Sequence, residues 1–229
     1  MGGEYLEHFY QYGTRVEVKK DEYIYNASLN PDSASIYLLD SGLCALMTTT
    51  RNGEEKIHLY FRAKRTVGFV QVLVGEYFGE PSNNFRLQNP AAFSIIAKTD
   101  CVLYRIQSSV FKQLMKDDPK FKDFTMQVVV ENYVEILNRY HQAQEETADV
   151  RLCRLLLEQS KNKDGKLVLP KYFTCTELSK YLGIHAVTVS RLISNLKQKG
   201  YISKKGHGII VERPDQIKII IDAEINLEG

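Results

Sequence analysis

The run CTELSKYLGIHAVTVSRLI, from Cys175 to Ile193, gathers side chains suited to reading the edge of a DNA base. Arg191 carries a planar fork of donors that matches guanine O6 and N7, or a phosphate. Ser190 can donate to or accept from a base edge, while Val187 and Thr188 offer methyl groups to the thymine C5-methyl. His185 opens the same stretch. Thr174 stands just ahead of the run, where a hydroxyl and a backbone N–H at a helix start can hold phosphate. Downstream, GYISKKGHGIIV from Gly200 to Val211 brings Lys204 and Lys205 together, a source of sequence-independent affinity that weakens with salt. These groups suit contact with double-stranded DNA rather than bond-breaking chemistry.

Such side chains work only if two short helices hold them at a steep angle. Leu178 and Leu182 supply the inner face of a first helix, and Val189, Leu192 and Leu196, spaced by 3 and 4, that of a second. Gly183 stands where the turn needs a positive φ, Ile184 plugs the corner, and Ser179 is small where the helices approach. With Val189 and Leu192 turned inward, His185, Val187, Thr188, Ser190 and Arg191 are left for a major groove. Two ordinary helices with a glycine turn would need the same leucines but not this outward set. The segment Gly200–Val211 then reads as a β-hairpin wing with the two lysines near its tip.

The front of the chain has a different texture. RVEVKKDEYIY, SIYLLDSGLCALMTTT, EEKIHLYF and FSIIAKTDCVLYRIQ are rich in β-branched and aromatic residues and are separated by turn chemistry. Asn52-Gly53 predicts a hairpin with a type I′ turn. Asp117-Asp118-Pro119 is a helix start, and no Gly or Pro follows until beyond Thr147. Met126, Val130, Tyr133, Leu137 and Tyr140, spaced 4, 3, 4 and 3, place one apolar stripe along that helix. So long a helix beside a small β domain calls for a partner, and a second copy of the chain is the simplest. The polar run Gln142–Asp149 is a candidate hinge, VRLCRLLLEQS a further amphipathic helix, Lys161–Gly165 a polar turn and KLVLPKYF a short extended segment. The expected organisation is α+β: a β-roll over 1–116, a central dimerisation helix over 117–147 and a winged helix-turn-helix over 148–229.

Charge supports two jobs on one chain. Residues 1–147 carry 16 Lys+Arg against 19 Asp+Glu, whereas residues 148–229 carry 14 against 9. Cys44, Cys101, Cys153 and Cys175 stand far apart, which excludes a CxxC zinc site. The start MGGEYLEHFYQYG has neither a basic cluster nor an apolar run, and no stretch nears the roughly 18 apolar residues of a membrane span. A cytoplasmic protein with no membrane partner, no metal and no cofactor is expected.

A β-rich front, a long helix and a winged helix-turn-helix in this order resemble the CRP/FNR superfamily of bacterial transcription regulators over nearly the whole chain. SIYLLDSGLCAL is similar to the family's early roll hairpin. AKTDCVLYRIQSSVFKQLMKDDP resembles its last roll strand and the turns into the dimer helix, and LGIHAVTVSRLISNLKQKGYI its recognition helix and wing. The resemblance implies a homodimer, a palindromic operator, a small-molecule effector in the roll and contact with RNA polymerase. Cyclic-nucleotide sensors of the family hold the phosphate with an Arg-Ser or Arg-Thr pair; Ala91-Ala92 stands here, so cyclic AMP lacks its guanidinium partner. Oxygen sensors carry an N-terminal cysteine cluster, and no cysteine here precedes Cys44.

Where many members have a Glu on the recognition helix this chain has Val187, which cannot accept from cytosine N4 and shifts the expected half-site towards A/T. HAVTVSR, from His185 to Arg191, resembles the branch that regulates reductive dehalogenase genes, which implies a halogenated phenolic effector. Phe69, Phe78, Phe85, Phe93, Asn132 and Tyr133 are the candidates to line its pocket. Two other triggers fit the same DNA-binding reading. They are thiol oxidation at Cys44, Cys101 or Cys175, and haem held by His58. A cupin-type metalloenzyme would need clustered His and carboxylate ligands, and the strand region offers His58 with no HxH spacing.

Overall fold

A computed structural model describes residues 6–26, 35–50, 52–70, 72–73, 93–206 and 208–223. The β-branched and aromatic runs form eight strands: β1 (Thr14–Val18), β2 (Tyr23–Asn26), β3 (Ser35–Ser41), β4 (Leu43–Thr49), β5 (Glu55–Arg62), β6 (Arg65–Val67), β7 (Phe93–Ala97) and β8 (Cys101–Gln107). They pair antiparallel into two four-stranded sheets, ordered β1-β8-β3-β6 and β2-β7-β4-β5. Side chains from both sheets, among them Val18, Ile24, Leu39, Cys44, Leu59, Phe61, Ile95 and Leu103, meet in one core. The outer face of the first sheet is also buried. Ile36, Leu38 and Ile106 pack with Phe111, Leu114, Phe121, Phe124 and Val128 from helices α1 (Ser108–Asp117) and α2 (Pro119–Glu145). Burial on both faces explains why SIYLLDS lacks the clean alternation of a half-exposed strand.

The hairpin expected at Asn52-Gly53 joins β4 and β5, but its turn is not type I′. Gly53 takes φ +81°. The Gly53 N–H donates to Thr50 O at 2.9 Å and the Thr50 N–H to Glu54 O at 2.8 Å, a longer loop than the two-residue turn expected. At the front of the roll, the helical turn His8–Tyr12 is stapled by Lys64. Its ammonium reaches Glu7 at 2.8 Å and Asp40 at 2.9 Å, and Tyr10 donates to Asp40 at 2.9 Å. Burial, then the Asp40 carboxylate, pushes the Tyr10 hydroxyl up to about 12.

The chain divides into two compact units, Met1–Ile136 and Leu137–Gly229. The long helix α2 continues through part of the polar run expected to be a hinge. The break falls only at Glu146 and Thr147, before α3 (Ala148–Gln159) starts with Thr147 accepting from Val150 N at 3.4 Å. In the second unit α3 buries Val150, Leu152, Cys153, Leu155 and Leu156, and α6 (Pro214–Asp222) adds Ile217 and Ile220. Between them lie α4 (Cys175–Leu182), α5 (Ala186–Gln198) and a third antiparallel sheet of β9 (Lys161–Lys163), β10 (Lys166–Pro170), β11 (Ile202–Lys205) and β12 (Gly208–Val211). Its order is β11-β12-β10-β9. Lys161–Lys163, expected to be part of a turn, is thus an exposed edge strand, and the turn is confined to Asp164 and Gly165 at φ +52° and +77°.

Gly208 packs the wing tightly against β10. Its φ is +139°, and a Cβ there would stand 2.0 Å from Leu169 O. Gly208→Ala should therefore loosen the β10–β12 pairing. It is expected to cost about 2–3 kcal/mol and lower the thermal midpoint by roughly 4–10 °C. Circular dichroism melting checks this, and an unchanged midpoint would contradict the close approach.

Candidate nucleic-acid interface

The helix pair is assembled by local chemistry at both ends of α4. Thr174 caps its start, the hydroxyl oxygen accepting from the Glu177 N–H at 3.2 Å. Glu177 also places a carboxylate in the first turn, where the helix dipole favours it. At the other end Gly183 adopts φ +67°, ψ +33°, and its N–H donates to Ser179 O at 2.9 Å. A Cβ at Gly183 would meet nothing within 4 Å, so glycine is needed there for its backbone and not for room. The Ser179 hydroxyl then donates to Ile184 O at 2.6 Å, pinning the turn across five residues. The sequence marked Ser179 only as small. A hydroxyl one turn ahead of a glycine cap was the available signal for this bond.

His185 is the N-cap of helix α5, its carbonyl accepting from Val189 N at 3.0 Å. Val189, Leu192 and Leu196 are buried, as are Leu178, Tyr181 and Leu182 of α4. The rotation this imposes leaves His185, Ser190 and Arg191 exposed, Thr188 half-buried and Val187 81% exposed. The wing pairs β11 with β12 from Ile202↔Val211 to Lys205↔Gly208, with Lys204 and Lys205 exposed. All eight residues expected to face DNA are thereby placed in the second unit, and Thr174 has a capping duty as well.

The residues proposed to line an effector pocket are dispersed. Phe69 is buried in the core between the first sheet and the helices, whereas Phe93 opens β7 with its ring 6.1 Å from that of His58. Asn132 accepts from Arg65 Nη1 at 3.1 Å, and Tyr133 is exposed. Phe78, Phe85 and Ala91-Ala92 lie outside the described residues. A cleft of about 440 Å³ beside Val72, Leu73, Phe111 and Met115, ringed by Lys112, Lys116 and Lys122, is lined by none of the described candidates. His58 shares a 2.7 Å hydrogen bond with Thr48 through Nε2, the atom a haem iron would take.

Along α2, Met126, Val130, Tyr133, Leu137 and Tyr140 are exposed, as the stripe requires. Val134 and Ile136, which the spacing passed over, widen it. The thiols of Cys44 and Cys101 are held above the usual range by burial, and burial pushes that of Cys153 up to about 12. Cys175 is half-buried at the first position of α4. Among the described residues no group of three or more His, Cys, Asp and Glu could hold a metal ion, and no helix is long and apolar enough to cross a membrane.

Two family models match the chain in succession: a cyclic nucleotide-binding domain over residues 15–118 and a Crp-like helix-turn-helix domain over residues 150–219. No curated protein matches it. Many solved structures share the fold. The c-di-GMP responsive global regulator CLP of Xanthomonas campestris is 16% identical, with 90% of this chain and 97% of that one covered at a TM-score of 0.71. A CRP/FNR family regulator from Thermus thermophilus is 20% identical over 91% and 98% of the two chains, also at 0.71. CprK complexed with OCPA is 18% identical over 95% and 93%, at 0.61.

The buried thiols generate a labelling prediction. In the folded protein near neutral pH, iodoacetamide should leave Cys44, Cys101 and Cys153 unmodified until denaturant is added. Mass spectrometry of the peptides reads this out, and rapid native modification of Cys44 or Cys101 would restore them as candidate redox sensors.

Proposed function

We propose that this chain is a CRP/FNR-type transcription regulator, a reading supported by a cyclic nucleotide-binding domain match ahead of a Crp-like helix-turn-helix match, and that it acts as an effector-responsive homodimer on a palindromic operator. The observation that carries the reading is the outward face of α5. Val187, Ser190 and Arg191 are exposed on the side opposite the buried Val189 and Leu192, and the Lys204–Lys205 wing belongs to the same unit. His185 and Thr188 complete the base-facing set, and Thr174, Lys204 and Lys205 hold phosphates.

The exposed stripe Met126, Val130, Tyr133, Leu137 and Tyr140 supplies the dimer contact. Isolated apolar residues on a surface are ordinary, but a helical row of them this long is a buried face without its cover. Two recognition helices held roughly 34 Å apart would enter successive major grooves. Effector binding in the roll shifts the population of dimers towards that spacing, and the bound dimer meets RNA polymerase. Val187 favours an A/T-rich half-site. The likeness of HAVTVSR to the dehalogenase-regulating branch, together with the shared fold of CprK complexed with OCPA, supports a halogenated aromatic as effector. Burial of Cys44 and Cys101 disfavours those two thiols as triggers, leaving the half-buried Cys175, and the Thr48 bond at His58 Nε2 disfavours haem.

Two substitutions separate the parts of this interface. Arg191→Ala should cost about 1–3 kcal/mol of operator affinity and relax base preference at one position of each half-site, with the dimer intact by sedimentation. Undiminished specific affinity would remove Arg191 from the reading set. Replacing Lys204 and Lys205 together by Ala should weaken all sequences alike and reduce the slope of log K against log salt by about 2. Equal slopes in mutant and parent would mean the wing makes no phosphate contact.

A further inference from the structure

The end of α4 that precedes the recognition helix is gripped from two other helices. The last carbonyls of a helix have no partner within it, and Gly183 turns the chain away directly after them. Tyr181 O accepts from Nη2 of Arg139 on the last third of α2, and Leu182 O accepts from Nη1 of Arg151 on α3 at 2.8 Å. The Arg139 guanidinium also stands 3.7 Å from the centroid of the Tyr181 ring. Two cations at a helix C-terminus match its partial negative charge, and Arg suits the place better than Lys because one planar group both donates and stacks. Arg154, paired with Glu146, lines the same crevice. Arg151 Nε is buried there with no hydrogen-bond partner, so the position keeps a guanidinium at a cost.

What this grip touches gives it meaning. Ala186 opens α5 four residues beyond Leu182, so the clamped carbonyls sit at the root of the recognition helix. Arg139 lies on α2 between Leu137 and Tyr140, both part of the exposed apolar stripe. One helix thus carries the proposed dimer contact on one face and the clamp on another. We propose that Arg139 and Arg151 are positioning residues that lock the recognition helix to the dimerising helix, so that this clamp sets the half-site spacing the dimer accepts. The proposal rests on the dimeric DNA-binding reading. Neither arginine is assigned a contact with DNA.

Two measurements on the full chain test it, one of them without DNA. In Arg139→Ala, amide hydrogen exchange from Leu182 to Val189 should quicken by about tenfold, while α3 and the wing sheet keep the parent's rates. Unchanged exchange over that stretch overturns the clamp. The second uses duplexes carrying two half-sites with the spacer varied by single base pairs. The parent should prefer one spacer by about tenfold or more, and Arg139→Ala should flatten that preference while binding a single half-site as the parent does. A spacer preference equal to the parent's overturns the positioning role. Should Arg139→Ala fail to fold, Arg139→Lys and Tyr181→Leu carry the same measurements, since each removes the flat contact and leaves the other side chain in place. A parent that binds no DNA sinks the regulator reading, and the exchange result still judges the clamp by itself.

Discussion

Helix α5 has one rotation about its axis that buries Val189, Leu192 and Leu196 together, and the surface proposed to face DNA depends on it. Those residues recur at the helical period, so burying them dictates which others face outward. A helix free to roll by one residue would exchange Ser190 for Val189 at the surface, a polar side chain for an apolar one. Burial of three branched side chains, worth roughly 1.5–3 kcal/mol each, makes that roll costly. The αL turn at Gly183 and the Ser179–Ile184 bond then fix the direction in which the rotated helix leaves α4. The proposed base-facing surface is thus set by residues that do not belong to it.

The same division, between groups that act and groups that aim, governs what the sequence revealed. Periodicity marks apolar faces, so the helix pair, the long helix and the roll strands could be placed from spacing alone. It is silent about polar segments. Lys161–Lys163 has no apolar residue to betray a strand, and it pairs only because β10 offers an unpaired edge. It is equally silent about contacts distant in sequence. Arg139 and Arg151 read as ordinary charges on helix faces, and their partners are backbone carbonyls, which carry no residue identity to recognise. The turn between β4 and β5 shows a subtler limit: Asn-Gly permits a type I′ turn without requiring one, and the hydrogen bonds of Thr50 chose a longer loop.

The front unit is a scaffold whose described phenylalanines are largely committed to packing. Phe69, Phe111, Phe121 and Phe124 fill the space between sheet and helices, which is what large apolar side chains in a roll most often do. Candidates for ligand contact drawn from aromatic content alone therefore fell partly on core positions. Polar groups with stated partners are the firmer guide, and Arg65, tied to both Glu131 and Asn132 of α2, shows where roll and long helix exchange force. A ligand that disturbs Arg65 would act on the helix that bears the apolar stripe.

In the proposed dimer two copies of α5, held by α2, read two copies of one short sequence. Selection of bound duplexes from random DNA by the full-length protein tests it most directly. Enrichment of an inverted repeat, its half-sites centred about one helical turn apart and richer in A/T than the usual family site, is the predicted result. Recovery of a single unpaired half-site would contradict the dimer, and recovery of no sequence, with and without halogenated aromatics present, would contradict the operator itself.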